Sequence, residues 1–252
     1  MNDQQLFDSA YSRTEPAYGN RPSSPLAAFL KQTGHHGIAF DLGAGAGRDS
    51  MAMAAAGYCV HCFDLSATGL SRIEQQADES GYAKNIKTHQ TDVRDIEFPL
   101  QGIDLIVATT VLDHLPESDA QEVCGRMLAG LNHQGVMYVE VHTVDDPECA
   151  ECPQNFQDAS VSETADAVET YFQPNQLANW ALRKDAGLRI LHYEERLEWD
   201  TTHGLEHLHG KAILLAERLN AHRLWRGENP VSKRALLRKS QGEPTIPRED
   251  EL

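Results

Sequence analysis

The sequence predicts an α/β fold in which a mostly parallel sheet carries helices on both faces and ends in an antiparallel pair of strands. Apolar segments of strand length alternate with helical segments five times, and this alternation indicates a parallel sheet. The segment at residues 102–108 is apolar almost without interruption, as expected for a strand that is buried on both faces. Two strands in succession follow the last helix, so we expect seven strands in all.

Each element is bounded by residues that begin or end helices, or by a change in the apolar pattern. Ser66 can cap the helix that follows it, and Gly57 and Gly81 end the helices before them. Pro174 stands in the first turn of a helix, where proline is tolerated. The predicted strands are residues 37–42, 58–63, 86–90, 102–108, 135–141, 188–197 and 209–217. The predicted helices are residues 26–32, 48–56, 67–80, 116–131 and 174–185.

The turn after the first predicted strand is rich in glycine and follows a carboxylate. Asp41 lies near the end of the strand, and Gly43, Gly45 and Gly47 alternate with alanines before the helix begins. Glycine allows a tight turn and lets a ligand approach the unpaired N–H groups at the start of a helix. The third glycine comes one residue too early for the dinucleotide fingerprint, and no Gly-Lys-Ser/Thr follows as in a P-loop.

Carboxylates at the ends of the first three strands indicate which ligand the turn would hold. Asp41 would repel a pyrophosphate but attract an ammonium group, so a cofactor with an amino-acid end, such as S-adenosylmethionine, fits better. Asp64 ends the second strand, 23 residues later, where an acid can accept hydrogen bonds from both ribose hydroxyls. Asp92 follows the third strand. The alternatives are a turn without a ligand, a helix cap at Asp64 and a solvated turn at Asp92.

These motifs resemble those of the class I S-adenosylmethionine-dependent methyltransferases, whose first motif reads D-x-G-x-G-x-G. The order of elements between residues 26 and 218 is similar to the Rossmann-like, seven-stranded sheet of that class. Within the class, the chain resembles the tellurite-resistance and thiopurine-type branch, which methylates small molecules. The segments that carry this likeness are Tyr18-Gly19, Asp41–Ser50, Ala55–Val60, Asp64–Ser66 and Leu214–Arg218.

The chain also departs from that branch. Ala44 stands where cysteine is frequent, and histidines replace the arginines expected between the last two strands of members that handle oxyanions. Residues 144–172 hold eight acids and neither lysine nor arginine. These departures speak against an oxyanion acceptor such as tellurite. We expect a thiol, chalcogen or metalloid acceptor, with an amine N-methyltransferase and a sensor that binds the cofactor without chemistry as alternatives.

The resemblance implies S-adenosylmethionine as the cofactor, S-adenosylhomocysteine as the product and a small molecule as the methyl acceptor. It also implies that Leu65 covers the adenine, that Asp92 accepts from the adenine amino group, and that the N–H beside it meets a ring nitrogen. The residues assigned to the cofactor in this way are Tyr18, Arg21, Asp41, Gly43, Ala44, Gly45, Arg48, Asp64, Leu65, Asp92, Val93, Thr109 and Val111.

Three residues are candidates for catalysis: His142, His114 and Tyr11. His142 follows the fifth strand and is aimed at a substrate pocket, although a capped or surface histidine is the alternative. His114 lies in the loop after the fourth strand, which family members place beside the sulfonium, and we favour a scaffold role for it. A histidine is assigned as a base only when its geometry supports that role.

The clusters of cysteine and histidine do not predict a metal site. Cys149 and Cys152 have the spacing of a metal pair but lack further ligands at metal spacing. His203, His207 and His209 can bind metal as a histidine-rich tract, but a substrate-facing or solvated loop fits them better.

Charge and composition restrict the partners. The net charge is −16, and only the tail at residues 219–252 is basic, so we do not expect nucleic acid as a partner. We expect residues 1–25 to close on the cofactor site, residues 26–218 to form the catalytic domain and the tail to be disordered. Within the domain, residues 144–172 would form an acidic lid or insertion over the acceptor.

The same features indicate where the protein works. No apolar run reaches the length of a membrane span, and the N-terminus is polar rather than signal-like. Five cysteines at irregular spacing do not form a disulfide framework and fit a reducing cytoplasm. A homodimer is compatible with the sequence.

Overall fold

The computed structural model describes residues 3–12, 19, 21–32, 34, 37–152, 167–183, 186–201 and 205–219 of the chain. The described α-helices are α1 (Asp3–Tyr11), α2 (Ser24–Gln32), α3 (Arg48–Ala55), α4 (Ala67–Ser80), α5 (Glu117–Gly130) and α6 (Gln176–Leu182). The described strands are β1 (Gly37–Leu42), β2 (Tyr58–Asp64), β3 (Ile86–Gln90), β4 (Ile103–Thr109), β5 (Leu131–His142), β6 (Leu188–Asp200) and β7 (His207–Arg218). Short 3-10 turns at Val93–Asp95 and Leu112–His114 follow β3 and β4.

The seven described strands form one sheet in the order β3-β2-β1-β4-β5-β7-β6. Strands β1 to β5 run parallel, whereas β7 pairs antiparallel with both β5 and β6. This arrangement confirms the predicted Rossmann-like class and its antiparallel final pair. The strand order reverses between β1 and β4, and open α/β sheets bind ligands in the crevice at the carboxyl ends of such strands.

Helices cover both faces of the sheet. On one face, α2, α3 and α4 contribute Phe29, Met53 and Ile73 to the apolar core. On the other face, α5 and α6 contribute Met127 and Leu177. Strand β4 supplies side chains to both clusters, as its almost unbroken apolar sequence predicts.

The ends of three strands differ from the prediction. Strand β5 begins at Leu131, which directly follows the end of α5, rather than at residue 135. Strand β6 continues to Asp200 and β7 begins at His207, and these two residues pair across the hairpin. Polar residues at these ends interrupt the apolar alternation from which strands are predicted, so the pattern alone ends β6 too early and begins β5 and β7 too late.

Helix α1 lies in a segment for which the sequence predicted no element. It is short and polar, so it cannot rely on local propensity and needs tertiary contacts. Asp8 accepts a hydrogen bond of 2.5 Å from Ser66 Oγ at the start of α4, and Tyr11 is buried. These contacts bring α1 to the edge of the sheet where the glycine turn lies.

Some predictions fall outside the described residues. These include the tail beyond residue 219, the middle of the acidic segment at residues 153–166, Tyr18 and His203. The division into the segments 1–25 and 26–218 stays a prediction. Among the described helices, none has the length and apolar character needed to cross a membrane.

Candidate active site

The turn between β1 and α3 requires glycine at two positions. Gly43 and Gly45 have φ angles of +64° and +53°, in the left-handed region that other residues rarely adopt. A Cβ atom at Gly43 would lie 2.7 Å from Val111 Cγ2, and one at Gly45 would lie 2.7 Å from the Tyr11 hydroxyl. The loop after β4 and helix α1 therefore pack directly on this turn, and a side chain at either glycine would displace them.

Asp64 ties the end of β2 to the glycine turn. Its Oδ2 accepts from the N–H of Gly45 at 2.8 Å, and its Oδ1 accepts from the N–H of Ser66 at 2.7 Å. Burial raises the pKa of Asp64 in spite of these hydrogen bonds. The cap of α4 is Ser66, whose Oγ accepts from the N–H of Gly69 at 3.0 Å, so Asp64 is not the helix cap. Each carboxylate oxygen has a further lone pair that a ribose hydroxyl can use.

Asp41 lies beneath the same turn and is almost fully buried. Ser50 Oγ donates a hydrogen bond of 2.5 Å to its Oδ2. Burial, and then repulsion from Asp49, raises the pKa of Asp41 to about 8, although Arg48 acts in the opposite direction. Such a carboxyl group is mostly protonated at neutral pH, whereas a neighbouring ammonium group would favour its ionised form. Asp41 would therefore ionise when a cationic group binds beside it.

Asp49 lies within the segment Asp41–Ser50, where the sequence assigns it no role, and it joins α3 to the end of β4. Its Oδ2 accepts from Thr109 Oγ1 at 2.8 Å and from Arg48 Nη2 at 3.0 Å, and the residue is buried. Two predicted cofactor residues are therefore held in place by one carboxylate. An acid in the first helical turn after a glycine motif was a signal that could have identified it.

Two adjoining cavities lie at the carboxyl ends of the strands. The smaller has a volume of about 150 Å³, and the predicted cofactor residues that line it are Gly43, Asp64, Leu65, Asp92, Val93 and Val111. The larger has a volume of about 330 Å³, and the predicted cofactor residues that line it are Asp41, Gly43, Ala44, Gly45, Arg48 and Thr109. Arg21 is exposed and lines neither cavity. The structure thus brings together the predicted cofactor residues that it describes, except Arg21.

Asp92 has a partner of its own on the 3-10 turn after β3. Its Oδ1 accepts from the N–H of Arg94 at 2.8 Å, and its Oδ2 accepts from Arg94 Nη2 at 2.6 Å. These hydrogen bonds lower the pKa of Asp92, so the group is ionised at neutral pH. A ligand amino group would share this carboxylate with Arg94, and the solvated-turn alternative stays open.

His142 forms a buried pair with Asp113, which lies in the 3-10 turn after β4. Asp113 Oδ2 accepts from His142 Nδ1 at 2.5 Å and from the His142 N–H at 3.0 Å, and Asp113 is fully buried. Burial lowers the pKa of His142, but Asp113 raises it by more, and the pKa lies above its usual value. Burial raises the pKa of Asp113, yet the contacts with His142 bring it below its usual value. The sequence identified His142 but not its carboxylate partner.

The other two candidate catalytic residues lie where the cavities adjoin. His114 and Tyr11 line both cavities. The Nδ1 atom of His114 is 2.6 Å from the carbonyl oxygen of Ala167, and the ring of Phe7 packs edge-on against the imidazole at 5.5 Å. These contacts fix the ring, which agrees with a scaffold role for His114.

Charged residues of β5, β6 and β7 also line the larger cavity. They are Glu140, Asp200, His209 and Lys211. Lys211 Nζ lies 3.1 Å from Glu140 Oε1, and Tyr138 donates to Glu140 Oε2 at 2.7 Å. We call this part of the cavity, together with His142, the acceptor end.

The acidic segment is anchored at both of its described ends. Thr143 pairs with Phe172, and both residues are buried. Asp146 is also buried, and its Oδ2 accepts from the N–H of Gly210 at 3.0 Å and lies 3.0 Å from His209 Nδ1. At least one of the eight acids therefore faces the protein interior, and the lid role of the segment stays a prediction.

Comparison with known proteins agrees with this geometry. Residues 39–135 match the family described as a methyltransferase domain. None of the curated proteins compared with the chain matches it. Many solved structures share its fold, and we describe three of them.

All three structures have low identity to the chain. TehB from Haemophilus influenzae is 19% identical with a TM-score of 0.61, over 85% of this chain and 66% of that one, so the chain spans just under two thirds of it. A second protein has a solved structure described by the words "Conversion of a Disulfide Bond into a Thioacetal Group during Echinomycin Biosynthesis". It is 17% identical to the chain, with a TM-score of 0.62, over 97% of this chain and 100% of that one. Magnesium protoporphyrin IX methyltransferase from Synechocystis PCC 6803, with bound S-adenosylmethionine, is 15% identical, with a TM-score of 0.57, over 86% and 98%.

Residues 39–135 therefore resemble a methyltransferase domain, which agrees with the predicted activity and with S-adenosylmethionine as the predicted cofactor. The identities of these structures are low enough that the likeness concerns the fold alone. The tellurite-resistance branch is thus supported only by a distant similarity to TehB.

Proposed function

We propose that the protein methylates a small molecule held at the acceptor end of the larger cavity. The adenosine of the cofactor would lie in the smaller cavity, and its amino-acid end would lie at the glycine turn near Asp41. The observation that carries this proposal is that the two cavities share Gly43, Thr110 and His114. One extended ligand can therefore reach from the smaller cavity, which would hold the adenosine, to the glycine turn. The glycine turn and the acceptor end both belong to the larger cavity.

The chain contributes binding, orientation and a proton acceptor. When bound, the cofactor supplies an electrophilic methyl group. Asp113 accepts a hydrogen bond from His142 Nδ1, so the neutral ring carries its lone pair on Nε2. His142 lines the larger cavity, and this Nε2 atom can take a proton from an acceptor. The remaining contribution is the alignment of the acceptor with the methyl group.

Among small molecules we favour a thiol or a related chalcogen compound. A thiol loses its proton at a pKa of about 8.5, which an imidazole can assist at neutral pH. Five acidic residues line the larger cavity against three basic ones, Arg48, Arg72 and Lys211, and this excess of acids would repel an oxyanion. The same acids would attract a protonated amine, so an amine is the second candidate.

A panel of acceptors tests the proposal. The full-length protein is incubated with methyl-labelled S-adenosylmethionine and thiols, selenols, chalcogen oxyanions, phenols or amines, and the products are identified. We expect turnover with thiols or selenols. Turnover with amines alone would reject the thiol proposal, and tight cofactor binding without turnover on any acceptor would favour the sensor hypothesis.

A substitution of His142 tests the assigned base. We expect His142→Gln to lower kcat about 10²–10⁴-fold, the usual contribution of general acid–base catalysis. The affinity for S-adenosylhomocysteine should stay unchanged, because His142 lies at the acceptor end. His133→Gln changes an exposed histidine and serves as the matched control. Equal losses in both variants, or a parallel loss of cofactor affinity, would reject this role.

A further inference from the structure

Two histidines and a carboxylate meet at the end of the final hairpin where β6 leads into β7. His207 and His209 lie two residues apart on β7, so their side chains share one face of the sheet. Asp200 on β6 is the cross-strand partner of His207, and it projects from the same face. His207 and His209 are 0% and 3% exposed, whereas Asp200 is partly exposed and lines the larger cavity.

The hydrogen bonds of the two rings determine which nitrogens face each other. His207 Nδ1 lies 2.6 Å from the carbonyl oxygen of Leu205, and His209 Nδ1 lies 3.0 Å from Asp146 Oδ2. A carbonyl and a carboxylate only accept hydrogen bonds, so each Nδ1 carries a proton. In neutral rings both Nε2 atoms then carry lone pairs, and these two atoms are 2.9 Å apart. Two lone pairs at this distance repel each other unless a positive centre lies near them.

We propose that His207, His209 and Asp200 bind a divalent transition-metal ion, for which zinc is the best fit. One ring nitrogen of each histidine and a carboxylate oxygen of Asp200 lie within 4.8 Å of one another. Zinc bonds to histidine nitrogen and carboxylate oxygen at about 2.0–2.2 Å, so one ion reaches all three with small side-chain movements. Histidine ligands of metals commonly donate their other N–H to a carboxylate or carbonyl, which are the roles of Asp146 and Leu205 here.

A proton is the simplest alternative to the metal ion. An imidazolium at His209, neutralised by Asp146, would donate its Nε2–H to His207 Nε2. This arrangement accounts for the two rings without Asp200, whose carboxylate lies within 4.8 Å of a ring nitrogen of each histidine and also interacts with the charge of Lys211. Metal binding distinguishes the two, because a proton-sharing pair has no requirement for an ion.

A second set of three groups competes for the same ion. His142, Asp146 and His209 also have ligand atoms within 4.8 Å of one another. In that set, the contact between Asp146 and His209 Nδ1 is an ordinary hydrogen bond at 3.0 Å and needs no ion. The set with His207 instead contains the two opposed lone pairs, so we assign the ion there. The two sets share His209. Substitutions of His207 and of His142 therefore show which set binds the ion.

The position of the ion gives it a role in acceptor binding, and this part of the inference rests on the proposed function. Asp200 and His209 line the larger cavity, so an ion between them would border the acceptor end. Zinc binds thiolates strongly and favours their deprotonated form. We expect zinc to lower the KM for a thiol acceptor while leaving the affinity for S-adenosylhomocysteine unchanged.

Zinc titration of the full-length protein tests the site without any turnover. The untagged protein is freed of metal with a chelator and titrated with zinc chloride by calorimetry. We expect one zinc ion per chain in the wild type, and at least tenfold weaker binding in His207→Ala and in Asp200→Asn. Asp146→Asn should weaken binding about 10–100-fold, as for other outer contacts of metal ligands. Circular dichroism and S-adenosylhomocysteine binding check that each variant is folded.

Two controls separate this site from other ligands in the chain. His89→Ala breaks a different histidine pair, in which His61 Nδ1 lies 3.0 Å from His89 Nε2, and it should leave zinc affinity unchanged. Cobalt bound in place of zinc should show visible absorption without a thiolate charge-transfer band, because nitrogen and oxygen are the ligands. A thiolate band would assign the ion to Cys149 and Cys152 and would overturn the proposal.

The remaining outcomes also decide between the alternatives. The proposal is wrong if the wild type binds no zinc at micromolar concentration, because a shared proton then suffices. It is also wrong if His207→Ala binds zinc like the wild type while His142→Ala does not, because the ion then belongs to the competing set. Since the titration uses neither cofactor nor acceptor, its failure would leave the proposed methyl transfer untouched.

Discussion

The two ends of the larger cavity are held in place by different kinds of contact. At the glycine turn, Asp64 accepts from the N–H groups of Gly45 and Ser66, and Asp41 accepts from the hydroxyl of Ser50, so the partners of both carboxylates are uncharged. At the acceptor end, buried carboxylates pair with ionisable side chains. The pairs are Asp113 with His142, Asp146 with His209, and Glu140 with Lys211.

This difference has a consequence for substitutions. A backbone donor remains when a side chain is replaced, and water or a ligand can satisfy it at the cavity wall. A buried side-chain pair loses both its geometry and its charge balance when one partner is removed. We therefore expect changes at the acceptor end to reduce turnover with cofactor affinity intact, and changes at the glycine turn to reduce cofactor affinity.

After His142 itself, the largest effect should come from Asp113. We expect Asp113→Asn to lower kcat about 10²-fold, because an amide no longer selects the His142 tautomer with the lone pair on Nε2. The affinity for S-adenosylhomocysteine should stay within a factor of about two, since Asp113 is outside the glycine turn. Steady-state kinetics and calorimetry measure the two quantities.

A double substitution distinguishes positioning from a merely structural role. If Asp113 acts only through His142, then Asp113→Asn in a His142→Gln background should cause no further loss of kcat. Losses that multiply, or a fall in cofactor affinity that matches the fall in kcat, would contradict the separation between the two ends.

The same difference explains what the sequence could predict. Asp41 and Asp64 were identified because each ends a strand within one local motif, and local motifs survive as sequence patterns. The partnership of Asp113 with His142 was missed, because the two residues meet only through the packing of a turn against β5. Asp200 was missed as a ligand because the apolar alternation of β6 ends before it, and only the antiparallel register places it opposite His207.

The next effect concerns Asp64 at the glycine turn. We expect Asp64→Ala to weaken binding of S-adenosylhomocysteine by about 1–3 kcal/mol, because two charge-assisted hydrogen bonds to the ribose are lost. The value of kcat at saturating cofactor should change little. Asp92→Ala is the matched comparison, and it should weaken binding of S-adenosylhomocysteine less than Asp64→Ala does, because Asp92 is already paired with Arg94. Unchanged affinity in folded Asp64→Ala would mean that Asp64 only holds the turn.

A smaller effect should link cofactor binding to pH through Asp41. Burial and repulsion from Asp49 raise the pKa of Asp41 to about 8, so Asp41 is mostly protonated at pH 6–7 when no cofactor is bound. An amino group, with a usual pKa of about 7.7–8.0, stays charged in this range and binds the ionised carboxylate. Binding then releases a proton, so the affinity for S-adenosylhomocysteine should rise about tenfold from pH 6 to pH 7.

Two controls test the assignment of this proton. Asp41→Asn should remove the pH dependence, and methylthioadenosine, which lacks the amino-acid end, should show none with the wild type. Calorimetry in buffers of different ionisation enthalpy measures the proton release directly. If the affinity of Asp41→Asn for S-adenosylhomocysteine still rises with pH, the released proton comes from another group. That result would also weaken the distinction between the glycine turn and the acceptor end.

The smallest effect tests whether α1 belongs to the cofactor end of this comparison. Asp8 connects α1 to α4 through Ser66 Oγ, and α1 brings Phe7 and Tyr11 to both cavities. Asp8→Ala should therefore weaken S-adenosylhomocysteine binding about fivefold, which corresponds to the roughly 1 kcal/mol of one hydrogen bond. Hydrogen exchange of residues 3–12 should become faster in the same variant. Ser9→Ala, on the exposed side of α1, is the control, and an equal loss there would mean that helix propensity, rather than the contact with α4, keeps α1 over the cofactor.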